Sequence, residues 1–178
     1  QMRGSIGFES YVGKGSTFWL ELPIAEAPHE ENAAAIAKFA KQAKVQFSGI
    51  DGNLLYVEDN PANLELMEVI VSHIEGLELN SAHTGELGIE LARATKPDLI
   101  ILDINLPGMN GIEVLKKLGE HENTKHIPVL ALSAAATMRD IKKGREAGFL
   151  EYLTKPIDVL EVVDAIKSAL ESRKPINT

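Results

Sequence analysis

The sequence predicts an α/β fold, a five-stranded doubly wound parallel sheet with helices on both faces, preceded by a β-hairpin and a linker. Three observations carry this. From residue 53 onward, short aliphatic runs alternate with stretches of helical period, strand then helix, five times over. The run 99–102 is apolar at every position, as in a strand covered on both faces, rather than alternating as in a sheet with one wet side. Several of these runs close on a polar residue, at the end where open α/β sheets bind their ligands. With 178 residues, 44% hydrophobic and 5% aromatic, the chain has room for one domain with an aliphatic core and an appendage.

Taken in order, 54–57 reads as the first strand of the sheet. A helix is expected over 61–75, with Leu64, Met67, Val71 and Ile74 on one face. Pro61 suits its first turn, where no N–H is needed, and Gly76 its carboxyl cap. A second strand follows at 77–82, then a helix over 84–95 capped by Thr84. The third strand, 99–102, leads through Pro107, Gly108 and Asn110 into a helix that Asn110 caps and that runs to about Glu120. The fourth strand is read at 127–132, the fourth helix at 137–147, the fifth strand at 149–153 and the last helix at 157–172.

Ahead of this unit, residues 1–24 read QMRGSIGFESYVGKGSTFWLELPI. Two β-prone runs, 5–11 and 16–22, are joined by Gly13, Lys14 and Gly15 as a hairpin turn. A lone hairpin is marginal in water, and Phe8, Phe18, Trp19 and Leu20 have nothing local to cover them. The pattern G-x-I-G-x-x-S followed by G-K-G-S-T-F-W resembles the last glycine-rich box and final strands of the ATP-binding domain of sensor histidine kinases. That resemblance implies that 1–24 is the carboxyl-terminal fragment of such a domain. The family's upstream asparagine and glycine boxes are absent, so no ATP binding and no kinase activity are expected of this chain itself. Residues 25–52 read as a linker, with Ile36, Phe39, Ala43 and Phe47 spaced for a short helix over 33–47. His29 precedes an acidic residue, as kinase phosphoacceptor histidines do. Glu31 and Asn32 then stand where an apolar and a basic residue are required, so His29 reads as a solvated linker residue. The main domain is expected over 53–173, with 174–178 as a tail. Because the chain opens on Gln1, it is expected to be a fragment of something longer.

Composition removes several functions. The net charge is −8 and no basic run exceeds a pair such as Lys116 and Lys117, which argues against a phosphate-neutralising nucleic-acid surface. There is no cysteine, hence neither a disulfide framework nor a thiolate metal site. No apolar stretch reaches the ~18 residues of a membrane span, so no membrane contact is expected of this chain.

In a parallel sheet the carboxyl ends of all strands lie along one edge. The residues there are Glu58 and Asp59 after the first strand, Asp103 after the third, Ser133 after the fourth and Lys155 after the fifth. Like charges crowded together call for a cation among them. Hard oxygen donors without histidine or cysteine suit Mg²⁺, or Mn²⁺ as its relative. A carboxylate beside such an ion, with an ammonium and a hydroxyl opposite, is equipped for phosphoryl transfer. Asp103 would be the nucleophile that becomes an aspartyl phosphate, with Lys155 offsetting charge on the phosphoryl oxygens and Ser133 donating to one of them. Singly, each residue has a plainer role: Glu58 and Asp59 as helix-capping acids, Ser133 as a cap, Lys155 as a turn lysine before Pro156. Their joint occurrence in the right order carries the reading.

The motifs LLYVEDN, ILDINLPGMNG, ALSA and YLTKP resemble those of the receiver domain of two-component response regulators, over residues 53–173. The resemblance implies a flavodoxin-like strand order, 2-1-3-4-5. It implies a metal held directly by Asp59 and Asp103 with the backbone carbonyl of Asn105, and by Glu58 through water. It also implies an ion pair from Lys155 to the phosphoryl group, a cis peptide before Pro156, and Ser133 and Tyr152 as switch residues. As partners it implies a histidine kinase phosphohistidine domain as donor and a histidine phosphotransfer domain as acceptor in a phosphorelay. With the kinase-like hairpin in front, the parent reads as a hybrid sensor histidine kinase, this part of it cytoplasmic whether or not the parent is anchored in the inner membrane. Ser133 replaces the commoner threonine, and Ala135 offers no side chain to place a water. Two other readings compete. A haloacid-dehalogenase-like phosphatase wants a second acid two residues after the nucleophile, where Asn105 stands. A pseudo-receiver, a binding module only, would not respond to a phosphoryl mimic with Mg²⁺.

Overall fold

The structure, a computed structural model, describes residues 5–11, 13–21, 50–134 and 138–172. The expected linker helix, His29, Ala135 and the tail 174–178 lie outside the described residues. The chain divides into two compact units, Gln1–Asn32 and Ala33–Thr178.

The first unit holds the expected hairpin. Strands β1 (Ser5–Tyr11) and β2 (Gly15–Glu21) are antiparallel, with Ser5 opposite Glu21 and Tyr11 opposite Gly15. The Lys14 N–H donates to the Tyr11 carbonyl at 3.0 Å, and Gly13 takes φ +78°, a conformation that costs glycine nothing. The second strand begins one residue earlier than its side chains suggest, because Gly15 still pairs through its backbone.

The second unit runs β3 (Gly52–Val57), α1 (Pro61–Ser72), β4 (Leu77–Ala82), α2 (Gly85–Thr95), β5 (Leu99–Asp103), α3 (Gly111–Gly119), β6 (Val129–Ser133), α4 (Met138–Ala147), β7 (Glu151–Thr154) and α5 (Val159–Glu171). The five strands are parallel in the order β4-β3-β5-β6-β7, which is the expected 2-1-3-4-5. Side-chain alternation splits each central strand between two apolar layers. Leu54, Tyr56, Leu99 and Ile101 join Met67 and Ile70 of α1 and Val163 and Ile166 of α5. Leu55, Val57, Ile100 and Leu102 join Ile89 and Ala92 of α2 and Val114 and Leu118 of α3. Helices on both faces are why β5 is apolar without interruption and buried at every position.

The caps follow local chemistry. Asn60 accepts from the Ala62 N–H at 2.9 Å with Pro61 behind it, and Thr84 accepts from the Leu87 N–H at 3.2 Å. Asn110 and Glu113 form a reciprocal capping box at the start of α3. Several boundaries differ from the sequence reading. Helix α1 stops at Ser72, not 75, because His73 and Ile74 turn back onto the Ile70 and Val71 carbonyls at 3.2 and 2.9 Å. Gly76, expected as that helix's cap, instead opens β4 at φ +91° and accepts from the Gly52 N–H at 3.0 Å. Strand β6 begins at Val129, since Ile127 bonds back to Thr124 at 3.0 Å and Pro128 has no N–H to give. Strand β7 begins at Glu151, because the Phe149 N–H closes the end of α4 on the Gly144 carbonyl at 3.1 Å while its ring is buried. Helix α5 begins at Val159, where Asp158 accepts from the Leu160 and Glu161 N–H groups at 2.9 and 3.0 Å. Among the described residues no helix is long and apolar enough to cross a membrane.

Candidate active site

The carboxyl edge of the five-stranded sheet gathers the residues that its strands deliver. Glu58 and Asp59 follow β3, Asp103 ends β5, Ser133 ends β6, and Lys155 follows β7. Carboxylate oxygens of Glu58, Asp59 and Asp103 all lie within 4.8 Å of one another. Glu58 and Asp103 are 0% and 2% exposed, while Asp59 is open to solvent. The Lys155 ammonium bridges the two buried acids, with Nζ 2.7 Å from Asp103 Oδ2 and 2.7 Å from Glu58 Oε2. The Lys155 N–H donates to the Ser133 carbonyl at 2.9 Å, which fixes the lysine's backbone to the end of β6. The Lys155–Pro156 peptide is cis, as expected.

Asp103 Oδ1 accepts from the Asn105 N–H at 2.8 Å, so both carboxylate oxygens have a donor. Close behind, Gly111 begins α3 where a Cβ would stand 2.6 Å from the Asp103 carbonyl oxygen and 2.8 Å from Ile104 Cα. Only glycine lets the helix pass so near the strand end. Ser133 is buried beside this group, with Leu132 opposite Asp103 in the ladder. Tyr152 lies two positions back from the edge, opposite Ala131, half-buried, its ring edge-on to Phe149 at 5.9 Å and against Gly144 of α4. The structure thus brings Glu58, Asp59, Asp103, Ser133 and Lys155 to one edge, with Asn105 bonded to Asp103 and Tyr152 set further down β7.

Two groups have shifted proton affinities. Burial works against the Lys155 ammonium, but hydrogen bonds and charge from Asp103 and Glu58 outweigh it and hold its pKa above the ordinary lysine value. Tyr56 is pushed far above the ordinary tyrosine value, first by burial and then by the charge and hydrogen bond of Glu58, with Asp103 and Asp59 adding to it. Its hydroxyl therefore stays protonated and donates to Glu58 Oε2 at 2.8 Å. The sequence reading missed Tyr56, although a signal was present. A phenol in the aliphatic run LLYV, two residues before an acid, shares that acid's side of the strand and needs a partner when buried.

Three carboxylates against one ammonium leave two negative charges uncompensated, all on hard oxygen donors, with one acid open to solvent. Such a donor set fits a divalent cation of the Mg²⁺ type.

Comparison with known proteins shows which family this sequence and fold resemble. The profile of the response regulator receiver domain matches residues 54–167. The polar-differentiation response regulator DivK of Brucella ovis is 38% identical over 118 residues, covering 66% of this chain and 95% of that protein. The signal receiver domain of a signal transduction histidine kinase from Syntrophus aciditrophicus superposes with a TM-score of 0.63 at 28% identity, over 71% of this chain and 96% of that one. The receiver domain of sensor histidine kinase PA1611 from Pseudomonas aeruginosa PAO1, with a magnesium ion coordinated in its active site cleft, gives 0.62 at 26% identity over 68% and 99%.

Proposed function

This chain belongs to the response regulator receiver domain family of two-component signalling, and from that premise we propose that Asp103 is its phosphoacceptor. The observation that carries this is the Asp103 carboxylate, 2% exposed at the sheet edge with the Lys155 ammonium 2.7 Å from Oδ2. A buried carboxylate with one donor on each oxygen is held in place yet remains an anion for nucleophilic attack. In the proposed step an Asp103 oxygen attacks phosphorus, and the P–N bond to a donor histidine breaks. The electron pair returns to the imidazole nitrogen. The Lys155 ammonium turns from the Glu58 and Asp103 oxygens to the phosphoryl oxygens, and the Ser133 hydroxyl donates to another of them. The added charge then biases Ser133 and Tyr152 between two arrangements, and with them the face formed by α4, β7 and α5.

Glu58, Asp59 and Asp103, with the backbone carbonyl of Asn105, are the groups that would hold Mg²⁺, with Mn²⁺ as a substitute. The cation supplies positive charge against the phosphoryl oxygens. The magnesium in the cleft of the PA1611 receiver domain supports this assignment.

The same proposal takes residues 1–24 as the end of a kinase ATP-binding domain, 25–52 as a linker and 53–173 as the receiver of a hybrid histidine kinase acting in the cytoplasm. The G-x-I-G-x-x-S and G-K-G-S-T-F-W motifs support it, as does the likeness to two receiver domains of histidine kinases. A histidine phosphotransfer domain would be the next acceptor. Replacing Asp103→Asn is expected to abolish phosphoryl uptake from a phosphohistidine or a small phosphodonor, read as acid-stable mass gain or label. Persistent label in that variant would sink the assignment.

A further inference from the structure

Glu58 is the most enclosed acid of the cluster, and a buried carboxylate is stable only with donors on it. It has three. The Asn60 N–H reaches Oε1 at 3.2 Å, and Oε2 takes Lys155 Nζ at 2.7 Å and the Tyr56 hydroxyl at 2.8 Å. These donors are not equivalent. Lys155 is shared with Asp103 and is the group that phosphoryl uptake would draw away. The Asn60 bond is the longest of the three and engages the other oxygen. Tyr56 alone is held from below: it is 0% exposed on β3, and its ring lies in the apolar layer with Met67, Ile70 and Val163. A phenol there is an expensive substitute for phenylalanine unless its hydroxyl is used.

We propose that Tyr56 is a positioning residue for divalent-cation binding, its hydroxyl fixing the Glu58 carboxylate in the orientation from which that acid serves the metal. The inference rests on reading the acidic cluster as the Mg²⁺ site. Two adjacent anchors on one carboxylate, Asn60 on Oε1 and Tyr56 on Oε2, set its plane without occupying every lone pair. Tyr56 also keeps a donor on Glu58 when Lys155 departs. Outer partners of metal-binding carboxylates act through this kind of orientation, and their loss typically weakens metal affinity about 10–100-fold.

The test is Mg²⁺ alone titrated into the full 178-residue chain, by calorimetry and by the amide shifts of residues 58, 59 and 103–105. Tyr56→Phe keeps the ring in the core and removes only the hydroxyl. It is expected to raise the Mg²⁺ Kd about tenfold. In a Glu58→Gln background the same change is expected to alter Kd less than about twofold, since the carboxylate it orients is gone. A Kd within about twofold of the parent chain, or an equal loss in both backgrounds, would overturn the proposal. Should Tyr56→Phe not fold, the Tyr56 Cζ resonance of the unaltered chain decides: it must move on Mg²⁺ saturation, and an immobile resonance refutes the role. No Mg²⁺ binding to the unaltered chain would refute the metal site itself, and Tyr56 with it. Binding there with no effect of Tyr56→Phe refutes Tyr56 alone.

Discussion

Strands β2 and β5 are alike on paper and opposite in their surroundings. Phe18, Trp19 and Leu20 run consecutively in β2, as Leu99 to Leu102 do in β5. Every residue of β5 is buried, whereas every residue of β2 is exposed among the described residues. The difference is cover. Strand β5 sends alternate side chains into two layers, each closed by helices, and each fully buried aliphatic is worth about 1.5–3 kcal/mol. Within the hairpin the two strands meet through the stacked Phe8 and Phe18 rings and the hydroxyl contacts of Ser5 with Glu21 and Ser10 with Ser16. Cross-strand pairs of that kind are worth about 0.2–1 kcal/mol each. An apolar run therefore states a demand for cover, and the neighbouring pattern says whether the demand is met. Helices flank β5 on both sides in sequence; none flanks β2 at comparable distance among the described residues.

The largest effect should come from opening that cover. Ile101→Ala removes a fully buried side chain from the layer under α1 and α5, and is expected to cost about 2–5 kcal/mol in urea denaturation followed by circular dichroism. A cost below about 1 kcal/mol would mean that the layer collapses onto the gap, and that β5 is less tightly covered than its burial indicates.

Next comes the close approach at Gly111. Gly111→Ala presses a methyl against the Asp103 carbonyl and Ile104, backbone that cannot step aside without moving the strand end. The expected cost is about 1–3 kcal/mol, with slower phosphoryl uptake because Asp103 itself is displaced. In the hairpin, Gly13→Ala meets nothing within 4 Å and costs only its φ of +78°, about 1 kcal/mol. Phosphoryl uptake faster than or equal to that of the parent chain in Gly111→Ala would show that the strand end tolerates the shift.

Alkaline pH probes the polar end of the same strand layer. Tyr56 and Lys155 both keep their protons in the folded chain above the pH at which their unfolded counterparts, near 10.0 and 10.5, release them. The unfolded state then binds fewer protons, so stability falls as pH rises from about 10. Below that range both contributions are fully present. Without divalent cation, Tyr56→Phe is expected to reduce the alkaline slope by about 1 kcal/mol per pH unit, measured by urea midpoints between about pH 10 and 11. An unchanged slope would mean that Tyr56 is not held protonated by its burial and the acids around it.

The strand ends explain how much of the site was legible. Asp103, Ser133, Lys155, Glu58 and Asp59 each follow or close an apolar run, and parallel topology alone brings such residues to one edge. Tyr56 escaped because an aromatic inside an apolar run passes for core, which it also is. Phe149 was read into a strand for the same reason: its apolar ring is buried, yet its N–H belongs to the end of α4. Gly76 shows the limit on caps, since a glycine after a helical run marks a turn without telling which element that turn serves. Hydrophobic pattern reports where side chains go, and these three misreadings are all about where a polar group or backbone bond goes.

The smallest effect, and the sharpest test of the comparison, lies in the hairpin. The Phe8 and Phe18 rings stack at 6.0 Å while remaining 69% and 76% exposed, so truncating one forfeits a ring contact and little burial. Phe18→Ala is expected to cost about 0.5–1 kcal/mol. In a two-stranded hairpin, which is marginal in water, that is enough to shift the folded population measurably. Trp19 is the only tryptophan in the sequence and stands opposite Gly7, its indole against the position where a Cβ would be. Its fluorescence therefore reports on this hairpin. The expected result is a red shift and lower anisotropy of Trp19 emission in Phe18→Ala. No change would leave the backbone ladder as what holds the hairpin together. A loss as large as that of Ile101→Ala would mean that Phe18 is covered after all, and would erase the contrast between β2 and β5.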